Sequence, residues 1–318
     1  MRILVSGGAG FVGQFLVPRL RELGHDVYCL EEYFFRTISD FSIAKDHIFL
    51  ADIRDTFALN EVFLKVRPEV VIHLAAMTAV AYSYNRPQET IMTNLIGTVN
   101  VAEMSRLLCP NLKQFIFPSS AEVYGVNNIP VKKETDPLVP NSPYAVSKRG
   151  CEDYLFYMKE AYDFPVTVFR PFNSYGRRDS HWFVIEKAIW QMVRGNKVCY
   201  LGDPIPVRDF LYIDDHVDAY IKAVNNPKAF GETFNLSTGV GITIKNLAAT
   251  IKRLTTYKGK IEWESMPPRP LDIMHLVGAN DKLKNILGWK EPLPLEEGLK
   301  KTIEYWSWKV EMGEDDEE

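Results

Sequence analysis

Cysteine is scarce in this chain. The four cysteines among 318 residues, at 29, 109, 151 and 199, form no CxxC pair and no zinc spacing. Neither a disulfide framework nor a metal centre is expected from them, and they read as reduced, mostly buried thiols of a cytosolic protein. Long hydrophobic runs are missing too: none approaches the roughly 20 apolar residues that span a bilayer. The first residues run directly into a strand pattern, without the architecture of a signal peptide. Basic blocks are absent and the net charge is -4, which speaks against a nucleic-acid partner. The run Glu314-Asp315-Asp316-Glu317-Glu318 reads as a solvated tail. The expectation is a soluble cytoplasmic protein without internal repeats.

What the chain does contain is alternation. Arg2–Ser6, Asp26–Leu30, His47–Leu50, Val70–Leu74 and Phe115–Pro118 are short apolar runs with the character of buried strands. Helical patterns at Phe11–Leu23, Thr56–Val66 and Pro87–Leu108 separate them, and Val166–Arg170 supplies a further strand. Such alternation predicts an α/β fold, a doubly wound parallel sheet of Rossmann type covered on both faces. After Pro171 the strands shorten and prolines gather at 204, 206, 267, 268 and 270. A smaller C-terminal α/β lobe is expected there. The division is residues 1–171 and 172–318, with a soft boundary that the chain can recross.

Gly7-Gly8-Ala9-Gly10-Phe11-Val12-Gly13 lies between the first strand and the first helix. Glycines tighten such a turn and let the backbone approach a pyrophosphate, which the helix N-terminus stabilises. Gly7, Gly10, Phe11, Val12 and Gly13 are therefore candidate cofactor residues. Glu31, or its neighbour Glu32, ends the second strand, where a carboxylate bonds ribose hydroxyls and repels a 2′-phosphate. That favours NAD over NADP, although Arg36 lies close in sequence. Asp52 and Ile53 follow the third strand and either meet the adenine or cap the next turn. His73 reads as a core histidine. Leu74, Ala75 and Ala76 leave room for a cofactor at the end of the fourth strand. Asn94 either bonds backbone near the nicotinamide or is simply exposed on its helix.

Tyr144 and Lys148 follow Ser142 and Pro143, which suit a helix N-cap and first position. A helix starting there sets the phenol and the ammonium one turn apart on the same face. A phenol has a pKa of about 10 and is a poor base unless a cation favours its phenolate. The pair thus forms a candidate general base for an alcohol proton. Ser120 and Glu122 follow the fifth strand and bring a hydroxyl and a carboxylate to the same crevice.

Together these pieces resemble the extended short-chain dehydrogenase/reductases, specifically the nucleotide-sugar epimerases and dehydratases. The resemblance runs from the glycine turn through His73-Leu-Ala-Ala76, Ser120-Ala-Glu-Val-Tyr-Gly125 and Tyr144–Lys148. It continues through Arg170-Pro-Phe-Asn-Ser-Tyr-Gly176, Val207-Arg-Asp-Phe210 and Arg269-Pro-Leu-Asp272. It implies an N-terminal lobe that binds NAD and a C-terminal lobe that binds a nucleoside-diphosphate sugar. By the same match Ser120, Tyr144 and Lys148 form the catalytic group. Asn173, Arg208 and Arg269 hold the diphosphate, with Asp272 near the nucleoside. Arg178 fits the family's usual arginine, whereas Arg177 and Glu186 stand where proline is frequent. Similar proteins dimerise through two helices per subunit, here roughly Pro87–Leu108 and Tyr144–Tyr162.

The resemblance also frames the reaction. All branches oxidise the sugar at C4. A 4,6-dehydratase needs a further acid/base, and Glu122 stands where those enzymes and related decarboxylases carry glutamate. Ala121 lacks the acid of the dTDP-glucose enzymes. The balance leans narrowly to a 4,6-dehydratase, with a UDP-sugar 4-epimerase close behind and a decarboxylase or ketoreductase further off. The non-enzyme alternative is a dinucleotide-binding sensor or scaffold, which would be expected to lose Tyr144, Lys148 and Ser120.

Overall fold

The computed structural model describes residues 1–33, 44–178, 180–265 and 270–313. Arg36, Arg269 and the terminal acidic run lie outside the described residues. The first half is built of β1 (Arg2–Ser6), α1 (Gly13–Glu22), β2 (Asp26–Glu31), β3 (Ile48–Leu50), α2 (Thr56–Val66) and β4 (Val70–His73). There follow α3 (Val80–Asn85), α4 (Pro87–Ile91), a π-helical turn (Met92–Ile96), α5 (Gly97–Leu108), β5 (Gln114–Pro118), α6 (Pro143–Tyr162) and β6 (Val166–Pro171). The second half adds β7 (Asn173–Tyr175), α7 (Val184–Val193), β8 (Val198–Tyr200), β9 (Val207–Tyr212) and α8 (Ile213–Ala223). It ends with β10 (Thr233–Leu236), β11 (Gly241–Thr243), α9 (Ile244–Leu254), β12 (Lys260–Glu262), β13 (His275–Leu276), α10 (Asp281–Leu287) and α11 (Leu295–Glu311).

Seven strands form one parallel sheet in the order β10-β6-β5-β4-β1-β2-β3. The strands are apolar throughout because both faces are covered. On one face Leu16, Val17 and Leu20 of α1 and Val217 and Tyr220 of α8 pack on Ile3, Ile72, Ile116 and Phe169. On the other, Phe63 of α2, Val101 of α5 and Leu155 and Met158 of α6 pack on Leu4, Val71, Phe115 and Val168. The winding reverses between β1 and β4, which opens a crevice at the carboxyl ends of those strands.

The chain leaves this sheet after β6 and comes back to it. β7, β9, β11 and β13 form a second small sheet, and β10 then returns to pair with β6. A third apolar cluster under the small sheet joins Tyr175, Ile189 of α7, Ile251 of α9 and Trp306 of α11.

Local sequence explains the helix starts. Asp55 accepts the N–H groups of Phe57 and Ala58 at 2.9 and 3.1 Å and caps α2. Ser142 accepts the N–H of Ala145 at 3.1 Å and Pro143 opens α6, as expected. The helical stretch expected over Pro87–Leu108 is instead broken by the π-helical turn. There the Asn94 carbonyl takes bonds from Thr98 Oγ1 at 2.5 Å and Cys151 Sγ at 3.2 Å, so side chains intrude on the helical ladder. The first helix starts at Gly13 rather than Phe11, because the glycine turn runs on through Val12. All four cysteines are buried with free thiols.

Candidate active site

The glycine turn sits at the mouth of the crevice. Gly7 has φ +71°, and a Cβ there would stand 2.8 Å from Ala75 N. A Cβ on Gly13 would stand 2.2 Å from Gly8 O, so only glycine lets the turn close on itself. No side chain caps α1, and its first turn has no acidic residue. Its leading N–H groups are thus suited to an anion.

Glu31 is buried beneath this turn, its Oε1 accepting Ala9 N at 2.9 Å. Burial pushes its pKa up to about 7, against the pull of the Ala9 and Gly8 N–H groups. Asp52 accepts the backbone N–H of Arg54 at 2.7 Å and pairs with its guanidinium, which also reaches Glu32 at 3.4 Å. Asp52 therefore caps the turn it begins, and its neighbour Ile53 is buried. His73 is a satisfied core residue: Nδ1 meets Ser6 Oγ at 2.6 Å and Nε2 meets Thr98 Oγ1 at 3.1 Å. Burial pulls its pKa down to about 3, so the ring is neutral.

Leu74, Ala75 and Ala76 are half-buried after β4. Asn94 is buried, not an exposed helical residue. Its amide oxygen accepts Met77 N at 2.8 Å, while its Nδ2 donates to Met77 O at 3.0 Å and Ser147 Oγ at 3.0 Å. It therefore ties the strand-end loop to the helix that carries Tyr144. The open crevice, the glycine turn and the carboxylate of Glu31 fit a dinucleotide.

Ser120, Glu122, Tyr144 and Lys148 meet at the end of β5. Ser120 Oγ accepts Glu122 N at 3.2 Å and caps a short 3-10 turn over Ala121–Tyr124. The buried phenol of Tyr144 stands beside the Ser120 hydroxyl, which favours its ionised form, and lies within reach of the Glu122 charge. Lys148 Nζ donates to Pro118 O at 2.8 Å and lies 4.7 Å from the centre of the Phe117 ring. Burial raises the Tyr144 pKa and lowers that of Lys148 to about 8. The sequence suggests a lysine pulling the phenol down; in the resting structure desolvation dominates, and the opposing pull is that of the Ser120 hydroxyl.

Across the crevice, Arg208 is buried, with Nη2 3.1 Å from Asp272 Oδ1 and Nη1 donating to Val207 O. Asn173 is half-buried and donates to Asp209 O at 3.2 Å. The structure packs Arg178 elsewhere: its guanidinium lies over Phe15 and Tyr305, on α1 and α11.

Three groupings were not foreseen. Asp209 is fully buried and accepts from Thr238 N, Thr238 Oγ1 and Gly239 N, which holds the loop facing β9. Arg170 makes a bidentate buried ion pair with Glu152 of α6 at 2.7 and 3.0 Å. Arg177 and Glu186 approach to 3.7 Å, and a second Glu186 oxygen is buried without a hydrogen-bond partner among the described residues. Only the last pair had a signal in sequence, as two departures from one family pattern.

The parallel sheet, its crevice and the glycine turn define a dinucleotide-binding fold of Rossmann type. Residues 4–302 match the family model described as GDP-mannose 4,6 dehydratase. The chain belongs to this family, the NAD-dependent nucleotide-sugar epimerases and dehydratases of the extended short-chain dehydrogenase/reductase type. It is 33% identical over 314 residues to a UDP-glucose 4-epimerase of Mycolicibacterium smegmatis, covering 96% of this chain and 98% of that one. It is 31% identical to the human dTDP-D-glucose 4,6-dehydratase, over 96% and 89% of the two chains. The crystal structure of a UDP-glucose 4-epimerase with UDP-glucose from Thermotoga maritima superposes with TM-score 0.88 at 34% identity, over 98% and 100% of the chains. That of the Thermus thermophilus UDP-glucose 4-epimerase in complex with NAD gives TM-score 0.84 at 27% identity, over 96% and 99%.

Among the described residues no helix is long and apolar enough to cross a membrane.

Proposed function

We propose that the protein oxidises a nucleoside-diphosphate sugar at C4 and, through Glu122, carries it on to 4,6-elimination. What supports this reading is the place of Glu122, on the turn capped by Ser120 and close enough for its charge to act on the Tyr144 phenol. Tyr144 takes the C4-hydroxyl proton, Ser120 orients that hydroxyl, and Lys148 favours the phenolate. NAD, when bound, would supply the hydride acceptor for C4 and the hydride donor for C6. Glu122 removes the C5 proton, made acidic by the C4 carbonyl, and passes it to the departing C6 hydroxyl, which leaves as water. The proton that completes C5 is the equivalent of the one Tyr144 took from C4. Ala121 is small and buried, so Glu122 serves alone.

Asn173, Arg208 and Arg269 are the proposed diphosphate contacts, with Asp272 toward the nucleoside; Arg178, packed over Phe15 and Tyr305, is left out of that set. Arginine suits the task because its planar fork meets phosphate oxygens bidentately. A homodimer through Pro87–Leu108 and α6 is in keeping with the exposed Met92, Ile96, Leu107, Val146 and Tyr157. Light scattering on the purified protein tests it, a monomer being the contrary result.

A 4-epimerase is the second reading. It is favoured by two of the three UDP-glucose 4-epimerases named above, at 33% and 34% identity. Incubation with UDP-, GDP- and dTDP-hexoses, followed by mass and NMR, separates them. Loss of water is the expected result; unchanged mass with inverted C4 assigns the epimerase instead.

A further inference from the structure

Two residues that leave the family's pattern, Arg177 after β7 and Glu186 in the first turn of α7, are brought together by the fold. Glu186 is fully buried in the first turn of α7. Its Oε1 accepts the backbone N–H groups of Gly176 and Arg177 at 2.9 and 3.0 Å and lies 3.7 Å from Arg177 Nη1. The same Nη1 donates to Ser174 O at 2.6 Å, and Trp306 Nε1 donates to the Arg177 carbonyl at 3.1 Å. The loop is therefore pinned from both sides.

So fixed, the Arg177 guanidinium lies over two rings, 3.6 Å from the centre of Phe183 and 4.1 Å from that of Phe11. Phe11 belongs to the Gly7–Gly13 turn, immediately before α1. A side chain from the loop after β7 thus sets a permanent cation against the turn whose backbone is shaped for a diphosphate.

The chemistry of such a placement is specific. Taking a guanidinium out of water is costly, and the Ser174 carbonyl, two ring faces and one carboxylate already shared with two backbone N–H groups offset that only in part. An anion at the glycine turn would complete the compensation. Uncapped N–H groups of α1 and an adjoining guanidinium would then hold it from two directions.

We propose that Arg177 is a cofactor-binding residue, placing its guanidinium toward the diphosphate of NAD, with Glu186 as the residue that positions it. The proposal rests on the glycine turn as the NAD site and is independent of which product leaves the enzyme.

The test is calorimetric titration of dinucleotide-stripped protein with NAD and, separately, with UDP. Wild type is compared with Arg177→Gln, Arg177→Lys and the double variant Arg177→Gln/Glu186→Gln. The double variant removes both charges, so that no carboxylate is left buried without its cation, and its melting temperature reports folding. NAD affinity is expected to fall about ten- to hundredfold in the folded double variant, with UDP affinity within about twofold of wild type. An unchanged NAD affinity overturns the proposal. So does a loss confined to UDP, or shared equally by both ligands. Arg177→Lys keeps the charge and the ion pair and covers the case in which the neutral pair does not fold. It is expected to weaken NAD several-fold through loss of the fork, and no weakening there is equally fatal.

Discussion

The Tyr144 phenol stands beside the Ser120 hydroxyl, while the Lys148 ammonium, one helical turn on, donates to the Pro118 carbonyl at 2.8 Å. Desolvation dominates both groups in the resting site. It holds the phenol neutral, well above its usual pKa, and brings the ammonium down to about 8. The phenol therefore gives up its proton only when further positive charge comes to lie beside it. Replacing Tyr144 with Phe is expected to lower kcat by about 10²–10⁴, with NAD affinity and melting temperature preserved. Retained turnover of nucleotide sugar in that variant would remove Tyr144 from the chemistry.

Glu122 bears on the product rather than on the first oxidation. Glu122→Gln is expected to leave C4 oxidation in place, seen as reduced cofactor in a single turnover, and to slow loss of water by about 10²-fold or more. Dehydration at the wild-type rate in this variant would end the role assigned to Glu122.

Cofactor affinity should depend on pH through Glu31. Its carboxyl titrates at about 7 in the folded protein, chiefly because it is buried. If ribose hydroxyls are held by the ionised form, protonation removes that acceptor as the pH falls. NAD affinity is then expected to decline below pH 7, by at most about tenfold per unit for one proton. Glu31→Gln should flatten the dependence and narrow the preference for NAD over NADP. A pH-independent wild-type affinity would show that Glu31 makes no such contact.

Two histidines set the acid limit. His73 and His216 are buried, and burial pulls each down to about 3 from the usual 6.5. Both are neutral in the fold but take up a proton on unfolding below pH 6.5. The unfolded state binds more protons in that window, so stability falls with pH between about 6.5 and 3. Near pH 5 and below, the two together approach about 2.7 kcal/mol per pH unit. Urea unfolding along a pH series measures the slope. His216→Gln is expected to remove about half of this histidine component, and an unaltered slope would contradict it.

Asn94 should be structural as well as local to the site. Removing its amide leaves the Met77 N–H, the Met77 carbonyl and the Ser147 hydroxyl each short of a partner. Asn94→Ala is expected to cost about 2–4 kcal/mol in urea unfolding. A cost below about 1 kcal/mol would mean that water replaces the amide without loss.

Much of the fold was legible in sequence because it rests on local signals. β1 and α2 occupy the spans their patterns suggest, and the other strands named in advance differ by one residue at an end. The Ser142-Pro143 start of α6 followed from capping chemistry alone. The π-helical turn was not legible, because its cause is a pair of contacts to the Asn94 carbonyl, one from α6. The partners of Arg208, Arg170 and Asp209 were equally hidden. Asp272, Glu152 and Thr238, which they respectively meet, are each at least 18 residues away in sequence, and no periodicity encodes them.

By itself the sequence determined a parallel sheet, a glycine turn that only glycine permits, and a Tyr/Lys pair on one helix face. These are short-range facts, set by sterics, hydrophobic period and helix geometry. Tertiary structure decided which charges are buried and against what. It raised Glu31 to about 7, kept His73 neutral, and held the Tyr144 phenol in its protonated form. It also turned two separate departures from a family pattern, Arg177 and Glu186, into one ion pair beside the glycine turn. The physical reason is desolvation: the state of a charge depends on what surrounds it in space, and only the folded chain fixes those surroundings.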